Sequence, residues 1–291
     1  MIVEHSDKCL IDDQFKLHVT REIAASIFNV TTNSPWIKLN PSPELLQVYH
    51  VRLHRDYLIG LTLMGDLMVA DRSDPQGRIS IISQRIGRIK FIHYWSYLSA
   101  IIIISHDDKI YQLPITALIS GSIDQLRRMG HNVASIIDLS GHDLIWLDHD
   151  NRVVCHNRKT VIGDLLNVNP LIIYRRLLVD LANIVYRLEP TFDGDRIVNL
   201  RPVKLFQAEG YNIFDITEYP SPDYISTIDR YGVMRTYSNN KLIDTDDNIN
   251  RFIRFTDRSV AIELTNGKVL DDKKLISDFK LFVMYGCYQD D

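Results

Sequence analysis

Short apolar runs alternate with short polar turns along the whole chain, and the pairs recur at intervals of about 42 residues, the size of unit that stacks or closes radially. YLIGLTLMGDLMVAD, AIIIISHDDKIYQL and LIWLDHDNRVVCH show the pattern: a stretch rich in Val, Ile, Leu and Tyr, an acidic or Gly/Asn turn, and a second such stretch. The turns fall at Ser6-Asp7, Gly65-Asp66, Asp107-Asp108, Asp150-Asn151, Asp193-Gly194, Tyr231-Gly232 and Asn266-Gly267. Runs this short, joined by residues that tolerate positive φ, predict β-hairpins.

A third strand precedes most hairpins: Leu46 to Leu53, Ile86 to His93, Asn132 to Asp138 and Asn250 to Phe255. The predicted unit is therefore strand, short loop, strand, turn, strand, linker. The N-terminus opens on a hairpin without a first strand, Met1 to Asp12, and the C-terminus ends on a lone strand, Lys280 to Tyr288. Each end supplies what the other lacks, and pairing them removes exposed sheet edges. The expected fold is all-β, a single domain over residues 1–291 forming a seven-bladed β-propeller closed by an N-terminal hairpin plus a C-terminal strand. Six blades with a closing hairpin is the alternative count. Residues 20–43, with Pro35, Pro41 and Pro43, are expected as a loop insertion. Ser122 to Met129 is expected as a short helix capped by Ser122. Leu171 to Leu188 has helical spacing, yet the repeat period is kept there and strands are preferred over a helix.

The segment NVASIIDLSGHDLIWLDHDNRVVCHN, Asn132 to Asn157, resembles the repeat of the regulator-of-chromosome-condensation propellers, whose units run strand, Gly-x-x-His, apolar strand, Asp-Gly turn, apolar strand. IIIISHDDKIYQL, ISTIDRYGVMRTY and VAIELTNGKVLDD fit the later part of that unit. The likeness covers most of the chain loosely in a glycine-poor form: only 13 glycines occur, and Asp, Asn or Ser fill most turns. The period also suits WD-repeat blades, but no repeated Trp-Asp ending is found. The resemblance implies a propeller, with His142 mainly supporting its blade; the family's chromatin-binding role does not carry over to a chain of this charge. Nucleotide exchange, known in that family, has no residue-level support here.

Composition narrows the function. The 291 residues carry a net charge of −4, which argues against a surface built to neutralise phosphates, so no nucleic acid is expected as a partner. Cys9, Cys155 and Cys287 have no metal-ligand spacing and cannot all pair with one another, favouring a reducing compartment. Glu4, His5, Asp7 and Lys8 interrupt any leader-like run, and the longest uninterrupted apolar stretch is far short of the roughly 20 residues that span a bilayer. The expected setting is intracellular, cytoplasmic or nuclear, with no membrane contact. Asn29 opens a glycosylation sequon that such a setting would leave unused.

Candidate chemistry is sparse. His50 and His54 lie too far apart on one strand face to hold an ion without further ligands. Asp244 opens an alternating-oxygen run like a calcium loop, but Ile249 and Phe255 stand where Gly and Glu are required. No nucleophile elbow, phosphate loop or dinucleotide fingerprint occurs. Neither a cofactor nor a metal is expected, and no catalytic residue is assigned. An enzyme with a channel-mouth site built from His and Asp of several blades is the first alternative. A structural subunit of a larger assembly, viral ones included, is the second.

Recognition is the leading class. Loops joining first to second strands of propeller blades emerge on one face, and here they hold HRD, HYWSY, GH, EYP and DR. Arg55, Tyr94, Trp95, Tyr97, His142, Tyr219 and Arg258 are the expected contacts for a protein partner, because Tyr, Trp and Arg most often anchor interfaces. Packing between blades is the competing expectation for Trp95. The opposite face, with Asp66, Asp107, Asp108, Asp150 and Asp195, is expected to be the more acidic.

Overall fold

The apolar runs fold as strands. The computed structural model describes residues 4–277 apart from 6–8, 13, 32–33, 35, 40–43, 81, 138–142, 157–159, 166–167, 169, 222, 256–259 and 272–273. Strand β1 (Glu4–His5) precedes a three-stranded sheet of β2 (Cys9–Ile11), β3 (Leu17–Thr20) and β4 (Trp36–Leu39), with helix α1 (Arg21–Phe28) between β3 and β4. The second sheet holds β5 (Leu45–Arg52), β6 (Asp56–Thr62), β7 (Leu67–Asp71) and β8 (Asp74–Ser80). After helix α2 (Ile82–Ile86) come β9 (Ile89–Trp95), β10 (Ala100–Ser105), β11 (Ile110–Pro114), helix α3 (Ile115–Ser120) and β12 (Arg127–Gly130).

The fourth sheet is β13 (Val133–Ile137), β14 (Ile145–Asp148), β15 (Arg152–Cys155) and β16 (Thr160–Asp164). The fifth is β17 (Pro170–Tyr174), β18 (Leu177–Asp180), β19 (Ile184–Asp193) and β20 (Arg196–Gln207). The sixth is β21 (Ile213–Glu218), β22 (Tyr224–Asp229), β23 (Met234–Ser238) and β24 (Lys241–Asp246). The last comprises β25 (Ile249–Phe255), β26 (Val260–Leu264), β27 (Val269–Asp271) and β28 (Lys274–Ser277), with β1 beside β25. Seven such sheets of consecutive neighbours are the blades of a seven-bladed β-propeller.

Contacts divide the chain into two compact units. One comprises residues 1–130, 253–259 and 277–291, the other 131–252 and 260–276. In the first, β1 lies parallel to the end of β25, with Glu4 opposite Arg254. Its core fills the spaces between successive sheets: Val48, Leu58 and Met68 with Ile11, Val19 and Ile23 on one side of the second sheet, and Tyr49, Ile59 and Leu67 with Ile92, Ile101 and Ile103 on the other. Ala100 to Ser105 are all buried, so β10 is covered on both faces and shows no polar alternation. The second unit is built likewise, with Leu177, Val179, Val185, Ile213 and Ile216 in one layer and Ile228, Met234, Ile249 and Phe252 in another.

One turn recurs in every sheet. The residues Asp12, Thr62, Ser105, Asp148, Asp180, Asp229 and Leu264 each accept, at the backbone carbonyl, the amide three residues on. That third residue, Phe15, Gly65, Asp108, Asn151, Asn183, Gly232 or Gly267, has positive φ in all seven turns. At Asp12, Asp148, Asp180 and Asp229 one carboxylate oxygen also accepts the amides two and four residues on. The carbonyl of the positive-φ residue accepts a further amide: Ile89 N, opening β9 of the next sheet, reaches Gly65 O at 2.9 Å, Ile249 N, opening β25 of the next sheet, reaches Gly232 O at 3.0 Å, and Leu165 N, just past β16 of the same sheet, reaches Asn151 O at 2.7 Å. Gln47 and Asp215 make a second link, accepting the amides of Ile92 at 2.9 Å and Phe252 at 3.1 Å.

Several sequence expectations are corrected. A fourth strand occupies most of the expected linkers, because residues such as Arg78, Arg127 and Leu242 extend each ladder outward. The first hairpin among the described residues is β2–β3, whose turn is clamped by Asp12; the expected turn at Ser6-Asp7 lies outside them. Residues 20–43 hold α1 and β4, whose Lys38 pairs with His18 across the sheet and whose ammonium lies 2.9 Å from Asp12. Ser122 caps no helix: Gly121, with φ of 75°, ends α3 there, and Arg127 and Arg128 pair with Gln112 and Tyr111. Residues 171–188 are strands, but Asp193-Gly194 is the tip of the long β19–β20 hairpin, and the recurrent turn lies at Asp180. Asp195 therefore sits at the end of its own sheet opposite the recurrent turn. The expected C-terminal strand Lys280 to Tyr288 lies outside the described residues.

Candidate functional site

In each four-stranded sheet the loops joining first to second and third to fourth strands lie at one end, opposite the recurrent turn. In the first unit that end of the second sheet is a charged lattice. Arg55, between β5 and β6, donates through Nε to the Tyr57 hydroxyl at 2.7 Å, and its Nη2 lies 3.4 Å from Asp71 Oδ2. The guanidinium stands 5.3 Å above the Tyr57 ring centre, and His54 Nε2 meets the same hydroxyl at 3.0 Å. Burial alone would raise the Asp71 carboxyl, but the Ser73 hydroxyl and amide, the Asp74 amide and the Arg55 charge outweigh it and hold it below the usual carboxylate range. The hydrogen bond to Tyr57 shifts Arg55 upward.

Beside it, Arg52 bridges Glu22 of α1 at 2.7 Å and Asp56 at 3.0 Å, while His50 lies 3.1 Å from Asp56. Burial pushes Asp56 up, yet hydrogen bonds from Arg52, Ser26 and His50 bring it below its ordinary value. This network ties α1 to the loop that carries Arg55. Half of the Arg55 side chain remains exposed while these contacts hold it in place.

The HYWSY loop divides its aromatic residues between two jobs. Trp95 is 4% exposed and so is buried in the fold. Tyr94 is half-buried, its ring centre 6.4 Å from that of Tyr49, and burial raises its hydroxyl pKa against an opposing hydrogen bond from Ser99. Tyr97 and Leu98 point outward at 54% and 47% exposure from a single turn of 3-10 helix, Ser96–Leu98. The following Ser99 takes positive φ, and its carbonyl accepts the Ile115 amide at 2.9 Å, docking α3 against the loop.

In the second unit Tyr219 follows β21, half-buried against Phe252 with ring centres 6.4 Å apart; its carbonyl accepts the Ser226 hydroxyl at 2.9 Å. Next to it Glu218 accepts from Arg176 Nε at 2.7 Å. His142 and Arg258 lie outside the described residues. Four of the expected contacts thus belong to two successive sheets of the first unit, and Tyr219 to the second unit. Sequence reading missed the fixing groups Asp71, Ser73 and Glu22; the Asp-x-Ser spacing at Asp71 was the available signal for a side-chain-closed turn.

The recurrent-turn ends are not simply acidic. Asp107 pairs with Lys109, Asp108 with Lys90, and Asp150 with Arg152. Met64 and Tyr231 are exposed there at 74% and 78%. Among the described residues no three His, Cys, Asp or Glu side chains are grouped to hold a metal ion, and no helix is long and apolar enough to cross a membrane.

No protein-family model matches the chain, the regulator-of-chromosome-condensation family included, and no curated protein matches it in sequence. Solved propellers do match in fold. The β-propeller domain of Cps50 (Swd1) from Myceliophteria thermophila has a TM-score of 0.52 at 9% identity, covering 91% of this chain and 95% of that one. BBS1N in complex with ARL6DN gives 0.52 at 11% identity, with 82% of each chain covered. The WD40 β-propeller domain of Doa1 gives 0.49 at 11% identity, with 84% of each covered. These likenesses concern the fold alone.

Proposed function

We propose that this chain is a non-enzymatic scaffold that binds a protein partner through the loops carrying Arg55 and Tyr97. The observation that carries the reading is the fixed guanidinium of Arg55, tied to Tyr57 and Asp71 yet half exposed, on the sheet next to the one that presents Tyr97 and Leu98. Groups already ordered by their own scaffold lose little conformational freedom on binding. Support from likeness is limited to fold: one propeller of similar architecture is described in a complex with ARL6DN. The regulator-of-chromosome-condensation resemblance of Asn132 to Asn157 remains a likeness of pattern, and the intracellular setting remains an expectation from sequence.

Pull-down from native lysate with wild type and an Arg55→Ala, Tyr97→Ala double variant tests the reading. Both side chains are largely exposed, and an unchanged urea midpoint of the double variant confirms that its fold is kept. A partner held by wild type and lost by the variant supports the scaffold. Identical captured partners, or none, overturn this choice of surface. Trp95 is unsuited to the test, because truncating a ring buried this deeply costs about 3–5 kcal/mol of fold stability.

A further inference from the structure

A second cluster lies in the other unit, outside the residues just discussed. The hairpin between β17 and β18 turns on two residues only, Arg175 and Arg176, with Tyr174 opposite Leu177. Leu177 in turn pairs with Arg187 on β19, and the Leu188 amide donates to the Arg176 carbonyl at 2.6 Å. The ladder thus brings three arginines to one end of one sheet. Arg176 is fixed by Glu218 at 2.7 Å. Glu189, two residues beyond Arg187, is held by Arg201 at 3.1 Å.

Arg175 and Arg187 are different. Their Nε groups are sealed from solvent without a hydrogen-bond acceptor among the described residues, and Arg175 rests its guanidinium 5.1 Å from the Tyr174 ring centre. A buried donor with no acceptor is costly, and a charged one more so. Arg175 also has φ of 50°, at a turn position where Asn or Gly would be unstrained. Two arginines without acidic partners among the described residues, beside a third already neutralised, leave about two positive charges, which match the roughly −1.5 to −2 charge and three acceptor oxygens of a phosphate monoester.

We propose that Arg175, Arg176 and Arg187 form a binding site for a phosphate monoester on a side chain of a partner peptide. The phosphate site stands on this geometry alone; the peptide that carries it rests on the scaffold reading above. An anionic membrane is the less suited source, because the adjoining β19–β20 tip exposes Asp193 and Asp195 against the single cation Arg196, a net negative tip that such a surface would repel.

The test is calorimetric titration of the full chain with N-acetyl-phosphoserine amide, inorganic phosphate and N-acetyl-serine amide. Arg175→Asn, which relieves the turn while removing the guanidinium, and Arg187→Lys, which keeps the charge but removes the fork, are titrated alongside, and unchanged urea midpoints confirm their folds. Saturable binding of the phosphoserine probe, absent for serine and weakened about tenfold or more in Arg175→Asn, is the expected result. No saturable binding, or binding unchanged in both variants, overturns the site. Phosphate binding confined to inorganic phosphate, or co-sedimentation with phosphatidylinositol-monophosphate vesicles without binding of the phosphoserine probe, overturns the peptide as its source. Failure of the lysate pull-down with success here would remove the Arg55 and Tyr97 surface and leave this site standing.

Discussion

Replacing Asp229 by Ala tests whether the recurrent turn holds the blades together. The carboxylate is 3% exposed; one oxygen accepts the amides of Tyr231 at 2.9 Å and Val233 at 3.1 Å, and the other receives Arg235 Nη1 at 2.7 Å. A hydrogen bond to a charged group contributes about 1.5–3 kcal/mol, and removing one member of a buried ion pair costs about 3–5 kcal/mol because its partner stays uncompensated. These contributions overlap, so the expected loss for Asp229→Ala is about 3–5 kcal/mol. Arg235 keeps its position 4.0 Å from the Tyr211 ring centre, which caps the cost. Asp229→Asn keeps one acceptor for both amides but turns its NH2 toward Arg235 Nη1, giving up that charged hydrogen bond, for a smaller loss of about 2 kcal/mol. Urea denaturation followed by circular dichroism, with the slope held common, measures both variants. Equal losses for Ala and Asn, or a loss under about 1 kcal/mol for Ala, would refute the reasoning, since Leu264 closes the same turn with no carboxylate and turn geometry alone would then suffice.

Two further outcomes concern turn glycines and the buried carboxylates. Gly232 has φ of 81°, and a Cβ there would meet the Ile249 carbonyl oxygen at 2.7 Å, whereas Gly194 at φ of 61° has open space around it; Gly232→Ala should cost about 2–4 kcal/mol and Gly194→Ala about 1 kcal/mol, read by the same denaturation. Burial pushes Asp12, Asp56, Asp71 and Asp229 upward, but their hydrogen bonds and cationic neighbours leave all four below the ordinary range in the folded chain. Depressed folded values mean that this stability is present above the unfolded pKa of about 3.9 and is lost as pH falls through the folded values. The urea midpoint should therefore hold down to about pH 5 and decline below about pH 4, with Asp229→Asn declining less.

What could be read beforehand differed from element to element. Ile101 to Ile104 and Leu144 to Leu147 announce buried strands by composition alone, and the positive-φ turn residues Gly65, Asn151 and Gly232 by their type. The clamp residues were harder to see, since Asp12, Asp148, Asp180 and Asp229 are the last polar residues of buried strands and look like ordinary turn aspartates. Phe15 gave no local sign of its positive φ, and the recurrent turn at Asp180 was masked by the stronger turn signal of Asp193-Gly194. Among the expected contacts Tyr97 is exposed and Trp95 buried, although the two stand two residues apart in one aromatic run.

The sequence by itself determined the architecture, because a strand period, a turn chemistry and a unit length repeated along the chain allow few folds other than a ring of small sheets. Only the tertiary structure decided which side chains face outward and which charges are left without partners. Arg55 meets Asp71 across sixteen residues of chain, Arg176 meets Glu218 across the gap between two sheets, and strand register places Arg175 and Arg187 at one end of one sheet. Such meetings are set by how neighbouring sheets pack and pair, and a linear pattern carries no record of the distance between groups brought together by folding.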